Sequence, residues 1–293
     1  MQLGGRLIPF TKAHACGNDF LIVEEDAAKN LDCAELTRRL CDRHSGIGAD
    51  GIEFFAWADS NSPGSSSPGP SSPGPKSGRV RLHNADGSIA ELSGNGTRCV
   101  AAWMAETLGS HAGDKFEILT DAGPRICRID SVHTGDAFTV DVTTGMGVPR
   151  FVPHTPKLLD GAEIVGVEVA TGNPHFVILV DNAAFTAAGK SWQAIGAEIC
   201  SHHDFPHHTN VEFVRIVSEN EIEIRIFERG VGPTSSSGTG SAASATAALA
   251  LRRCVSPLTI VAPGGAQTVV WSGPGIELFL TGPATLIARG EAW

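Results

Sequence analysis

No apolar run in this 293-residue chain reaches the roughly 18 residues that a membrane-spanning helix needs. Positive charge is also scarce. The 22 Lys and Arg are outnumbered by 32 Asp and Glu, leaving a formal charge of −10. Nucleic acid is therefore not an expected partner, because phosphate binding needs clustered basic residues. The opening Met1-Gln2-Leu3-Gly4-Gly5-Arg6-Leu7-Ile8-Pro9 lacks the apolar centre and cleavage site of a signal peptide. The seven cysteines, Cys16, Cys33, Cys41, Cys99, Cys127, Cys200 and Cys254, are odd in number and scattered, with no C-x-x-C pair. This pattern predicts reduced thiols packed as small core residues in a cytoplasm, with neither a disulfide framework nor a metal centre.

What the chain does contain is an ordinary globular balance, 42% hydrophobic and 18% charged, over a length that suits two domains of about 130–150 residues. It also contains an internal echo. Ser93-Gly94-Asn95-Gly96-Thr97-Arg98-Cys99 returns in outline as Ser237-Gly238-Thr239-Gly240-Ser241-Ala242-Ala243, and each leads into an Ala-rich run. Gly17-Asn18-Asp19-Phe20-Leu21-Ile22-Val23 returns as Gly172-Asn173-Pro174-His175-Phe176-Val177-Ile178. Paired motifs in one order, about half a chain apart, predict a duplicated fold.

Residues 61–78 alternate Pro and Gly with Ser, so neither a helix nor a central strand is expected there. Strand-like runs flank the segment (Gly51–Trp57 and Arg79–Leu82), which makes it an expected long hairpin tip without function. Further strands are predicted at Asp19–Glu24, Lys115–Leu119, Ala137–Val142, Glu163–Val169, Phe176–Val180, Val211–Val217, Glu221–Phe227, Gln267–Trp271 and Ile276–Leu280. Helices are predicted at Cys33–Asp42, Thr97–Leu108, Ser191–Cys200 and Ser241–Cys254, with Thr97 and Ser241 as opening residues. Many closely spaced strands with one long helix in each half predict an α+β fold with antiparallel sheets and no parallel βαβ units.

A glycine-opened helix start collects free backbone amides and favours negative charge. A single G-x-G is usually a turn, but two copies in matching contexts make Gly94-Asn95-Gly96 and Gly238-Thr239-Gly240 a candidate carboxylate cradle. Asn18, Asn84, Asn173 and Asn210 are expected in loops beside strands, where their amides could hold a polar ligand. Glu228 and Arg229 offer an acceptor for an ammonium group and a donor for a carboxylate. His14 and His175 are candidate supporting acid or base groups.

These residues carry a family resemblance. His14–Phe20, Asp42–Gly51, Asn84-Ala85-Asp86-Gly87-Ser88, Ser93–Cys99, Gly172–His175, Thr209–Phe213, Phe227–Gly232 and Ser237–Ser241 occur in the order seen in diaminopimelate epimerases, within the wider proline racemase-like group. The resemblance implies two pseudo-symmetric α+β halves, each an antiparallel β-barrel-like sheet around a central helix. The halves would span 1–137 plus 283–293, with the 61–78 insertion, and 138–282. It implies a diamino diacid substrate held between the halves by Asn18, Asn84, Gly94, Asn95, Asn173, Asn210, Glu228, Arg229, Gly238 and Thr239, with His175 in support. It further implies a cytoplasmic homodimer in lysine and peptidoglycan precursor synthesis, working with no cofactor, neither pyridoxal phosphate nor metal.

The sequence departs from the family at the reacting positions. The family places a cysteine before each G-x-G, one acting as thiolate base and the other as thiol acid; here both are serine, Ser93 and Ser237. A thiol ionises near pH 8.5 and is readily lowered by a helix N-terminus, whereas a serine hydroxyl needs an adjacent base. Three readings stay open: a laboratory substitution that traps substrate, a natural variant that still epimerises with help from His175, or related chemistry such as removal of water from a hydroxy amino acid. A silent amino-acid-binding protein is a further alternative. Symmetric replacement, beside Pro233 where the family usually has Glu, favours the natural variant, and epimerisation of LL- to meso-diaminopimelate is the expected activity.

Overall fold

The computed structural model describes residues 7–58 and 76–293, so residues 61–75 of the Pro/Gly/Ser segment lie outside the described residues. The chain divides into two units, one running to Thr144 and taking in Gly282–Trp293, the other Gly145–Thr281.

The first unit comprises β1 (Ile8–Ala15), β2 (Asn18–Glu24), α1 (Cys33–Cys41), β3 (Gly51–Trp57), β4 (Lys76–Asn84), β5 (Ile89–Ala90), α2 (Gly94–Leu108), β6 (Lys115–Thr120), β7 (Gly123–Thr134) and β8 (Phe138–Gly145). β1 and β2 pair with Ala15 opposite Asn18, leaving a two-residue turn of Cys16 (φ 51°) and Gly17 (φ 80°). Both residues are left-handed, the geometry whose twist matches the flanking strands. α2 is buried almost all round, as a helix enclosed by strands must be. Its Cys99–Ala105 segment packs against Phe55, Phe116, Ile118, Ile129, Val140 and Val142. Trp103 meets Phe55 edge-on at 4.9 Å.

The second unit holds β9 (Arg150–His154), β10 (Gly166–Ala170), β11 (Pro174–Val180), α3 (Trp192–Cys200), β12 (Asn210–Ser218), β13 (Glu221–Glu228), β14 (Gly232–Thr234), α4 (Gly238–Ala250), β15 (Leu258–Ala262) and β16 (Gly265–Val270). α4 is built almost wholly from Gly, Ala, Ser and Thr and is buried on every side. Its Ala242–Ala248 segment lies among Val214, Ile222, Ile224, Ile226, Ile260, Val269 and Leu280. The final strand, β17 (Phe279–Ala292), opens beside β16, with Phe279 opposite Val270, and closes beside β1, with Ala292 opposite Ile8. Among the described residues no helix is long and apolar enough to cross a membrane.

The expected α+β architecture, two similar strand sets each around a buried helix, is present, with three corrections. First, parallel pairs exist: β2 with β3, β4 with β6, β11 with β12 and β13 with β15. A helix stands in each of these connections, so short strand spacing hid genuine crossovers. Second, α2 and α4 begin at Gly94 and Gly238, three residues before the expected Thr97 and Ser241, because Ser93 and Ser237 act as the caps. α4 also stops at Ala250, with Arg252 left-handed just beyond. Third, Lys76–Gly78 belong to β4, with Gly78 opposite Trp57, and Ile276 precedes its strand. Replacing residues 61–75 by a short Asn-Gly turn is expected to shift the melting temperature by no more than a few degrees, since loop length costs little and the segment's sequence has no large apolar group. Loss of soluble protein on deletion would overturn this.

Candidate active site

Both Ser-Gly motifs use one local construction. Ser93 is extended (φ −120°) and its Oγ accepts the Gly96 N–H at 3.0 Å. Ser237 is extended (φ −147°) and its Oγ accepts the Gly240 N–H at 3.2 Å. Serine satisfies one of the orphan amides of the first turn, while those of Gly94, Asn95, Gly238 and Thr239 have no partner inside their helices. A buried glutamate backs each start. A Cβ at Gly96 would overlap Glu53 Oε1, and one at Gly240 would stand 2.7 Å from Glu212 Oε1 and 3.2 Å from Ser237 Oγ. The third motif residue is therefore glycine because a carboxyl occupies its side-chain space.

In the first unit, Asn95 Nδ2 donates to Asn18 Oδ1 at 3.1 Å, and Asn18 Nδ2 donates to Asp50 Oδ2 at 2.6 Å. Arg98 Nη2 donates to Asn95 Oδ1 at 2.5 Å. Arg98 is fully buried, and Nε and Nη1 have no hydrogen-bond partner among the described residues. Burial pulls its pKa down, opposed by the neighbouring thiols of Cys16, Cys99 and Cys127. Asn84 stands opposite Gly51 and bonds Ser88 Oγ at 3.1 Å. His14 Nδ1 accepts the Gly17 N–H at 3.2 Å and so braces the β1–β2 turn.

In the second unit, His175 is buried between two oxygens, Glu212 Oε1 at 2.7 Å from Nδ1 and Asn173 Oδ1 at 2.8 Å from Nε2. The ring thus links the Glu212 carboxylate to the Asn173 side chain, and Glu212 Oε1 also borders the Cβ position of Gly240, beside Ser237 Oγ. Asn210 Oδ1 accepts the Arg229 N–H at 3.0 Å, and Arg229 Nη1 donates to the His207 carbonyl at 3.1 Å. Thr239 is buried, its carbonyl accepting from Thr171 Oγ1 at 3.3 Å. Glu228 closes β13, half-buried. Asn18, Asn84 and Asn210 are strand-end residues, contrary to the expected loops, and only Asn173 lies outside a strand.

Strand register makes the duplication residue-specific. Ile22 faces Glu53 as Val177 faces Glu212, and two residues earlier Phe20 faces Gly51 as His175 faces Asn210. Phe20 thus stands where the second unit has its histidine, and Glu53 lacks an imidazole. Burial pushes the Glu53 carboxyl up to about 8, and its Oε2 has no hydrogen-bond partner among the described residues. Glu53 and Glu212 escaped the sequence reading. Their signal was a lone acid inside an apolar strand, Ile52-Glu53-Phe54 and Val211-Glu212-Phe213.

The model of the family described as diaminopimelate epimerase matches residues 10–152 and 167–287. The diaminopimelate epimerase of Microcystis aeruginosa is 33% identical over 300 residues, covering 97% of this chain and 98% of the relative. Diaminopimelate epimerase 1 of a Nostoc species is 34% identical over 301 residues, covering 97% and 99%. Among solved structures, a Bacillus anthracis phenazine biosynthesis protein of the PhzF family aligns over 98% of this chain and 99% of its own, with a TM-score of 0.67 at 14% identity. A hydroxyproline epimerase from Agrobacterium vitis aligns over 98% and 91%, with a TM-score of 0.65 at 16% identity. Those two structures share the fold; the matches along the sequence go further and place this chain in the diaminopimelate epimerase family.

Proposed function

We propose that this chain is an isomerase that epimerises LL-diaminopimelate to meso-diaminopimelate without pyridoxal phosphate, serving lysine and peptidoglycan precursor synthesis as a cytoplasmic homodimer. The observation that carries the reading is the repeated helix start: Ser93 and Ser237 each cap a glycine-opened helix backed by a buried glutamate. One such group takes the Cα proton and the other returns one, which inverts the centre. The first-turn amides favour the substrate carboxylate and the carbanion-like charge that develops on it. Glu228 and Arg229 match the ammonium and carboxylate of the diamino diacid.

Each serine spends an oxygen lone pair on a backbone amide and keeps its proton for donation. As bases both are far from working pH, so turnover is slow unless a neighbour takes the proton. Glu212, held at Oε1 by His175, is the group placed for that role behind Ser237; Glu53 stands alone behind Ser93. Ligand binding tests the substrate. Diaminopimelate is expected to raise the melting temperature by mass action. Arg229→Ala is expected to weaken binding by about 2 kcal/mol, roughly thirtyfold, through loss of a charge-assisted partner. A shift that is absent with diaminopimelate but present with another amino acid overturns the assignment.

A further inference from the structure

We propose that His154, His202, His203 and Asp204 form a site for a divalent first-row transition ion of the Zn2+ type, separate from the two helix starts. The site stands independently of the epimerase reading. The chain runs Ser201-His202-His203-Asp204-Phe205 just after α3, and β9 brings His154 to the same carboxylate. His154 Nε2 is 2.9 Å from Asp204 Oδ2, His202 Nδ1 is 3.5 Å from Asp204 Oδ2, and His203 Nε2 is 3.1 Å from Asp204 Oδ1. The ligand atoms of His202, His203 and Asp204 all lie within 4.8 Å of one another. Bonds of about 2.0–2.2 Å to a tetrahedral ion place adjacent ligand atoms about 3.3 Å apart, which the three distances to Asp204 straddle; His154 stands outside the mutually close trio and reaches the ion by turning about Asp204 Oδ2. Imidazole nitrogen with one carboxylate is the donor set such ions prefer.

Two outer contacts orient the rings as metal ligands. His202 Nε2 lies 3.0 Å from the Lys157 carbonyl, an acceptor that fixes its proton on Nε2 and leaves a lone pair on Nδ1. That lone pair now accepts the Asp204 N–H at 3.2 Å, a contact the ion would replace. His154 Nδ1 faces Glu168 Oε1 at 3.4 Å while its Nε2 faces Asp204. A neutral imidazole has one N–H and cannot serve two carboxylates. A cation on the Nε2 side resolves the conflict and leaves Nδ1–H for Glu168, the carboxylate–histidine–metal arrangement. His203 is exposed and free to swing in as the fourth ligand, whereas the His202 side chain is largely buried and preset.

The test is calorimetric titration of the tag-free, chelator-stripped chain with ZnCl2, alongside thermal melting. One saturable ion per chain with a raised melting temperature is expected. His154→Gln and Asp204→Asn should each weaken Zn2+ by at least tenfold, and His203→Ala by less. The double variant His207→Ala/His208→Ala should bind as the parent does. Should Asp204→Asn fail to fold, the exposed His203→Ala combined with His154→Gln decides the matter, with circular dichroism as the folding check. Absence of saturable uptake refutes the site. Full-affinity binding in the His154→Gln/His203→Ala variant refutes it equally.

Discussion

Placing thiols at both helix starts, Ser93→Cys with Ser237→Cys, is expected to raise Cα hydrogen exchange on diaminopimelate in heavy water by orders of magnitude. The parent should exchange weakly. The physical basis is acidity. At each site the position before the helix faces first-turn amides and the positive end of the backbone dipoles, which stabilise a thiolate. A serine in the same place keeps its proton at any working pH and serves as a cap, as the bonds to Gly96 and Gly240 show. Each single replacement should do much less, because inversion needs a base on one face and an acid on the other. Exchange is the right readout, since it reports proton abstraction even when net turnover is slow. A double cysteine variant that binds diaminopimelate yet exchanges no faster than the parent would rule out epimerase geometry and leave the lyase or silent-binder reading.

Glu53→Gln is expected to remove a pH dependence of stability on the order of 5 kcal/mol. The Glu53 carboxyl rises from an ordinary value of 4.5 to about 8 on folding, through burial alone. Its titratable neighbour Cys99 is itself held neutral by burial and offers no countercharge. Below pH 4.5 the carboxyl is protonated in both folded and unfolded chains and nothing is lost. As pH rises from there towards 8, the unfolded chain gives up the proton while the folded chain keeps it, so stability falls. Above about 8 the full loss is reached. Glutamine mimics the neutral acid in shape and carries no titration, so urea denaturation at pH 5, 7 and 8.5 should show the variant nearly level where the parent declines. Parallel profiles would mean that Glu53 is ionised in the fold.

Much of this was legible in one dimension. The echo of Gly17–Val23 at Gly172–Ile178, and of Ser93–Cys99 at Ser237–Ala243, predicted two like halves, because a duplicated chain keeps its turn and cap residues at matching offsets. Ser-Gly-x-Gly marked the helix starts, though three residues late, since a cap lies outside the helix it initiates. Chemical identity was legible as well: a hydroxyl before each G-x-G turn, Ser93 and Ser237, is a fact of sequence. Strand partners were not. Parallel pairing of β2 with β3 and of β11 with β12 depends on which strands the crossover helices bring together, which local pattern does not encode. For the same reason the roles of Glu53 and Glu212 were hidden. A lone acid in an apolar strand acquires meaning only when a glycine on a packed helix makes room for it. Likewise His154 and Asp204, fifty residues apart, became neighbours only through the pairing of β9 with β10 and the turn after α3. Sequence set the chemistry available at each position, and tertiary packing decided which of those groups lost water and which found a partner.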